Sequence, residues 1–204
     1  MIPPAYSPEE ALGLWVFLEQ EEGRLESVTL ELLGKGRELA DARDVPLTGL
    51  LLGRSGEDGA RQAIARGADH VLIAEHPLLD VYTTDAYANV AARLILDRKP
   101  ETLLLGATPN GRDLAGRLAV RLKTGLTADC TGLAWEEGTG LLLGEVTGFG
   151  GGIMASIKCP RHRPQMATVR PGIFPLPAPD PERVGRMEFV PVSLTAEEVG
   201  TRIL

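Results

Sequence analysis

The sequence predicts an α/β fold: a three-layer sandwich around a mostly parallel sheet, extended by antiparallel β-strands in the second half. Three observations carry this expectation. Short apolar runs alternate with helix-period stretches from Leu14 to Leu122. Gly, Pro or a capping residue separates one stretch from the next. After Lys123 the helical periods stop and short β-prone pieces take over.

Leu14-Trp15-Val16-Phe17-Leu18 is a continuous apolar run, as a strand buried on both faces would be. Gly23 marks a turn. Ser27 is placed to cap a helix over about 27–43, with Leu32, Gly36, Leu39 and Ala40 on one face. Gly34 and Gly36 each weaken that helix by about 1 kcal/mol relative to Ala. Pro46 ends it, and 47–52 reads as the next strand. Ser55 and Asp58 resemble a capping box for a helix running to Arg66, which Gly67 closes. Residues 71–74 form a third strand. Thr84 is placed to cap a helix in which Tyr87, Val90, Ala91, Leu94 and Ile95 share a face, and Pro100 closes it. Residues 102–105 make a fourth strand, ending at Gly106. The helix after it carries Leu114, Ala115, Leu118, Ala119 and Leu122 on one side.

The β-prone pieces cover 126–135, 141–146, 153–158, 165–169 and 187–192. They are expected to add antiparallel strands to the parallel sheet. Gly138-Thr139-Gly140 makes the first connection a hairpin. Pro171 to Pro181 contains five prolines and reads as an extended connector.

Composition narrows the function classes. The chain has 204 residues, 44% hydrophobic and 24% charged, enough for one buried α/β core. A net charge of −7 with mixed signs argues against a nucleic-acid surface. The residues after Met1 show no signal peptide and no membrane span, so a cytoplasmic location is expected. Cys130 and Cys159 are the only cysteines, too few for a disulfide scaffold. Only five amide side chains are present, a pattern expected of a heat-adapted source.

The most informative stretch is Gly106-Ala107-Thr108-Pro109-Asn110-Gly111-Arg112-Asp113. It leaves a buried strand and enters a helix, where open α/β sheets hold ligands. Free N–H groups there suit a phosphate or carboxylate. The plainer reading is a tight turn with Arg112 and Asp113 in a salt bridge. Thr127-Ala128-Asp129-Cys130 sets a carboxylate beside a thiol, but no histidine reads as a base for it. Cys159 and His162 are too few for a zinc site. Phe149-Gly150-Gly151-Gly152 is a close-approach segment or a bend between strands. Lys158, Arg161, Arg163 and Arg170 form a local basic cluster.

Four ordered blocks then resemble one family. Leu104-Leu105-Gly106-Ala107-Thr108 with Gly111-Arg112-Asp113-Leu114-Ala115 is similar to the strand-turn-helix signature of electron transfer flavoprotein alpha subunits. The run from Thr124 to Leu133 resembles the next block. Phe149-Gly150-Gly151 with Ile153-Met154-Ala155 resembles the third, and the run from Cys159 to Gly172 the fourth. Val146-Thr147-Gly148 and Gly152 depart from the Arg-Pro-Ala and Asn that flank the third block in relatives.

The resemblance implies an N-terminal α/β domain over 1–174, of the kind shared with adenine-nucleotide α-hydrolase-like domains. Residues 175–204 would be a Pro-rich connector and strand leading toward a flavin domain outside this sequence. It implies FAD in the complete protein, held mostly by that flavin domain and not by this fragment alone. It implies a beta-subunit partner, and acyl-CoA or other dehydrogenases as donors, as in fatty acid β-oxidation. The chain would be an electron carrier component, not an enzyme. Arg112, Asp113, Thr127, Asp129 and Arg163 are the expected contacts with a flavin, nucleotide or partner. Two other readings are a stand-alone adenine-nucleotide-binding domain using the Gly106 to Arg112 turn, and a small hydrolase using Cys130 or Asp129.

Overall fold

A computed structural model describes residues 5–54, 56–148 and 152–201. In chain order the elements are β1 (Leu14–Phe17), β2 (Gln20–Glu21), β3 (Arg24–Leu25), α1 (Ser27–Asp41), β4 (Leu47–Leu52), α2 (Gly56–Ile64), β5 (His70–Ala74), α3 (Thr84–Arg98), β6 (Thr102–Gly106) and α4 (Pro109–Arg121). There follow β7 (Leu126–Cys130), β8 (Gly132–Trp135), β9 (Leu142–Thr147), β10 (Met154–Ile157), β11 (Gln165–Val169) and β12 (Arg186–Phe189).

Seven strands form one sheet in the order β12-β5-β4-β1-β6-β11-β7, and every neighbouring pair is parallel. A parallel sheet needs cover on both faces, and the alternation along each strand supplies it. Trp15 and Phe17 of β1 point with Leu103 and Leu105 into the core under α3 and α4. Leu14 and Val16 point with Leu104 into the core under α1 and α2. The expected three-layer sandwich is what the chain forms.

The second half differs in detail from the expectation. Antiparallel strands do extend the fold, but as a separate sheet in the order β10-β9-β8. The late strands that join the main sheet, β7, β11 and β12, do so in parallel. The piece expected over 126–135 is two strands. Asp129 takes a left-handed φ of +61°, which Asp tolerates better than most residues, and bulges β7 against β11; Cys130 still pairs with Val169, and the chain leaves the main sheet at Thr131. The small sheet lies on the α1 face, where Leu133 and Leu142 enter the core and the Trp135 indole donates to the Leu39 carbonyl at 2.8 Å.

Caps also shift slightly. Glu26, not Ser27, precedes α1, and Thr83, not Thr84, precedes α3. The capping box expected at Ser55 lies outside the described residues. The Pro-rich connector is extended but not loose: it lies across α1 and α2 before β12 pairs with β5.

Leu104 is fully buried at the centre of the sheet. Leu104→Ala is expected to lower unfolding free energy by about 2–5 kcal/mol. Urea denaturation checks this, and an unchanged midpoint would contradict the central position of β6.

Candidate functional site at the carboxyl edge of the sheet

The strand order changes direction at β1. α1 carries the chain from β1 to β4 on one side, while β6 lies on the other. Ligands of open α/β sheets sit at such a point, outside the carboxyl ends of the strands. A cleft of about 920 Å³ opens there, lined among others by Glu19, Gln20, Arg54, Tyr82, Tyr87 and Asn110.

The groups facing this cleft do not suit an anion. Glu19, Glu21, Glu22, Glu26 and Asp80 outnumber Arg54, which is paired to Asp80. At the start of α4, Thr108 accepts the Gly111 N–H at 2.9 Å, as an N-cap should. The same hydroxyl donates to the Glu19 carboxylate at 2.6 Å. The chain's own carboxylate therefore stands at the helix N-terminus, where the helix dipole favours negative charge. Burial pushes the Glu19 carboxyl up, and hydrogen bonds from Thr108 and Asn110 offset part of that rise.

The five expected site residues do not form one site. Arg112 and Asp129 meet: the guanidinium donates to Asp129 Oδ2 at 2.6 Å and to the Ala107 carbonyl at 2.9 Å. Asp113 does not pair with Arg112. It accepts from Thr84 at 2.5 Å and Tyr82 at 2.7 Å, and these two hydroxyls hold its carboxyl below the usual range. Thr127 is buried on β7 beneath Gly144 of β9. Arg163 lies at the opposite, amino edge of the sheet, just before β11. It is 5% exposed and paired with Glu101 at 2.7 Å. Asp129 Oδ1 is buried without a hydrogen-bond partner.

Cys130 is fully buried, and burial pushes its thiol up to about 12. Such a thiol is not ionised at neutral pH, which removes the nucleophile from the hydrolase reading. Cys159 lies 3.9 Å from the His162 carbonyl oxygen and 4.0 Å from Thr124 Oγ1. Among the described residues no three His, Cys, Asp or Glu side chains are grouped to hold a metal. The basic cluster is partly internal: Lys158 pairs with Glu136 and Arg163 with Glu101.

Thr108 and Asn110 lie in the turn that the sequence singled out, but Glu19 was not singled out. Glu19 follows the apolar run of β1 directly, and an acid at the carboxyl end of a buried strand is a usable signal. Tyr82 and Thr84 carry no local signal, because they reach Asp113 only through the packing of α3 on α4.

Comparison with known proteins agrees with this architecture. Residues 14–195 match the model of the electron transfer flavoprotein domain. The chain belongs to the electron transfer flavoprotein domain family. It corresponds to the N-terminal part of electron transfer flavoprotein alpha subunits and FixB proteins. It is 51% identical to Protein FixB of Clostridium saccharobutylicum, over 94% of this chain and 57% of that protein. It is 48% identical to the electron transfer flavoprotein subunit alpha of Clostridium acetobutylicum, over 94% and 57%. It is 41% identical to the acryloyl-CoA reductase electron transfer subunit beta of Anaerotignum propionicum, over 94% and 59%. The chain thus spans little more than half the length of the curated relatives it matches.

Two predictions follow from the α4 turn. A Cβ at Gly111 would lie 2.0 Å from the Gly106 carbonyl oxygen, while one at Gly116 meets nothing within 4 Å. Gly111→Ala is expected to destabilise by at least about 1–3 kcal/mol, and Gly116→Ala to stabilise by up to about 1 kcal/mol. Thermal melts of both variants check the pair. For Glu19, a pKa raised by folding means that the neutral form fits best. That contribution is full below the unfolded value of about 4.3 and is lost as pH rises through the folded value. Glu19→Gln is therefore expected to raise the Tm at pH 7, with the gain shrinking toward acid. A Tm that falls at pH 7 would contradict this.

Proposed function

We propose that this chain is the alpha-subunit platform of an electron transfer flavoprotein, a scaffold and beta-subunit interface for FAD-mediated electron transfer from dehydrogenases. Acyl-CoA or other dehydrogenases are the proposed donors, and the cytoplasm is the proposed location; one relative is named as an electron transfer subunit of acryloyl-CoA reductase. Among the described residues no helix is long and apolar enough to cross a membrane.

The residues present do not fit a flavin dinucleotide on their own. A pyrophosphate needs free N–H groups and positive charge. Here the α4 N-terminus is capped by Thr108 and faced by Glu19, in a cleft where acids outnumber the one arginine. The same observation disfavours the stand-alone adenine-nucleotide reading of the Gly106 to Arg112 turn. On this reading the chain contributes shape and interface. The flavin, when bound in the complete protein, supplies the redox chemistry.

One observation carries the interface reading. β10 is the open edge of the small sheet, and all four of its residues are exposed. Ile153 and Met154 are 69% and 64% exposed, and Ile157 is exposed as well. Exposed apolar edges are normally blunted, so one left uncovered by the described residues marks a surface for another strand. The C-terminal residues lie elsewhere. Ser193 and Glu198 bond to Arg93 on α3, and Val190 and Leu194 join the core under α3 and α4. β10 is on the α1 face, away from residues 190–198.

The Gly148 N–H bonds to the Ile153 carbonyl at 2.7 Å and begins the β9–β10 ladder. With a period of two, the N–H groups of Met154 and Ser156 point away from β9. Proline is tolerated where an edge strand's N–H faces outward. Ser156→Pro is expected to leave the melt of the isolated chain within a few degrees of the parent. It should weaken capture of a co-expressed beta subunit by about tenfold or more, roughly 1.4 kcal/mol. Undiminished capture by the variant would place the interface elsewhere.

A further inference from the structure

The segment after β11 crosses the outside of α1 and α2 and ends as β12 on the open edge of β5. Its attachment is uneven. Glu31 of α1 is only 4% exposed, and its carboxylate accepts the N–H groups of Gly172, Ile173 and Phe174 at 3.0–3.2 Å. Pro177 rests on Gly34, where a Cβ would lie 3.1 Å from the proline ring. The Asp180 N–H donates to the Ala65 carbonyl at 2.7 Å. Arg183 donates to Asp69 at 2.7 Å, and the same carboxylate accepts from Arg37 and from the Leu47 N–H. Glu188 of β12 accepts from Arg98 at 2.7 Å and lies 3.2 Å from His70.

Between these anchors the segment buries little. Leu176, Val184 and Phe189 are 59%, 90% and 58% exposed. Segments with few buried apolar contacts open at free energies below that of global unfolding. Here polar contacts and the short β12–β5 ladder do most of the holding, with Ile173, Phe174 and Met187 packed only partly against the core, and the densest polar anchor is at Glu31. A carboxylate accepting several backbone N–H groups leaves all of those donors orphaned when it is lost.

We propose that residues 172–189 form a belt that opens and closes on the domain as one unit, hinged at Gly172 and latched by Glu31. Gly172 has a φ of +79° with open space around it, which suits a hinge. Opening bares the edge of β5 and the outer side of α1. Residues 190–198 stay anchored on α3, so the belt opens as a loop tethered at both ends. This inference is independent of whether a beta subunit covers β10.

Hydrogen exchange by mass spectrometry on the full chain tests it. Glu31→Ala should speed exchange about tenfold or more across both 172–174 and 180–189. Peptides from β1, β4 and β6 should keep their protection. Arg183→Ala, which leaves the Glu31 contacts in place, should speed exchange at 172–174 as well as at 182–189. Three outcomes would overturn the proposal: acceleration confined to 172–174 in the first variant, unchanged exchange there in the second, or an equal rise across β1, β4 and β6. If Glu31→Ala does not fold, the Arg183 variant still decides whether the belt is one unit.

Discussion

The insertion of β11 between β6 and β7 is the constraint on which the rest of this fold depends. α4 connects β6 to β7, yet the two strands are not neighbours. They are set one strand apart, and residues 165–169, all buried, fill the slot. Without β11, two strand edges inside the core would lack ladder partners, which buried backbone does not tolerate. With it, the Ala107 N–H reaches the Val169 carbonyl at 2.7 Å and the Asp129 N–H reaches Thr168 Oγ1 at 3.0 Å. The Arg112–Asp129 pair spans the carboxyl end of the inserted strand. The Arg112–Asp129 contact is therefore a product of closing this slot.

The same constraint explains the small sheet. The chain must leave after β7 and come back as β11, and the excursion between them folds on itself as β8, β9 and β10. One side of that sheet is stapled to α1 through Trp135, Leu133 and Leu142. Its outer edge, β10, has no cover from the described residues. The insertion thus builds the core and presents an apolar edge at once. At the other end of the sheet β12 closes the β5 edge, held mainly by ion pairs and hydrogen bonds.

Much of the fold was legible because local patterns and tertiary burial agree. The runs at β1, β4 and β6 are apolar in every residue that matters, as strands covered on both faces must be. The period through Tyr87, Val90, Ala91 and Ile95 matches the buried face of α3. What was not legible is long-range pairing. Nothing local tells 165–169 that it will lie between β6 and β7 in parallel, because β-propensity carries no partner information. Asp129's left-handed backbone, which bulges β7 just before the break at Thr131, is equally invisible in a stretch of β-prone residues. For the site, sequence spacing found the Gly106 to Arg112 turn. It could not show that Glu19 from β1 would face it, or that Arg163 would fall at the far edge of the sheet. Charge at a helix N-terminus decides whether an anion is welcome, and that charge arrives from a distant segment.

As proposed, this polypeptide supplies a folded platform and holds no flavin of its own. The most direct measurement is the flavin content of the purified, folded chain, released by denaturation and quantified by its visible absorption and fluorescence. The account predicts far less than one flavin per chain after desalting. A stoichiometric flavin retained by these residues alone would contradict it.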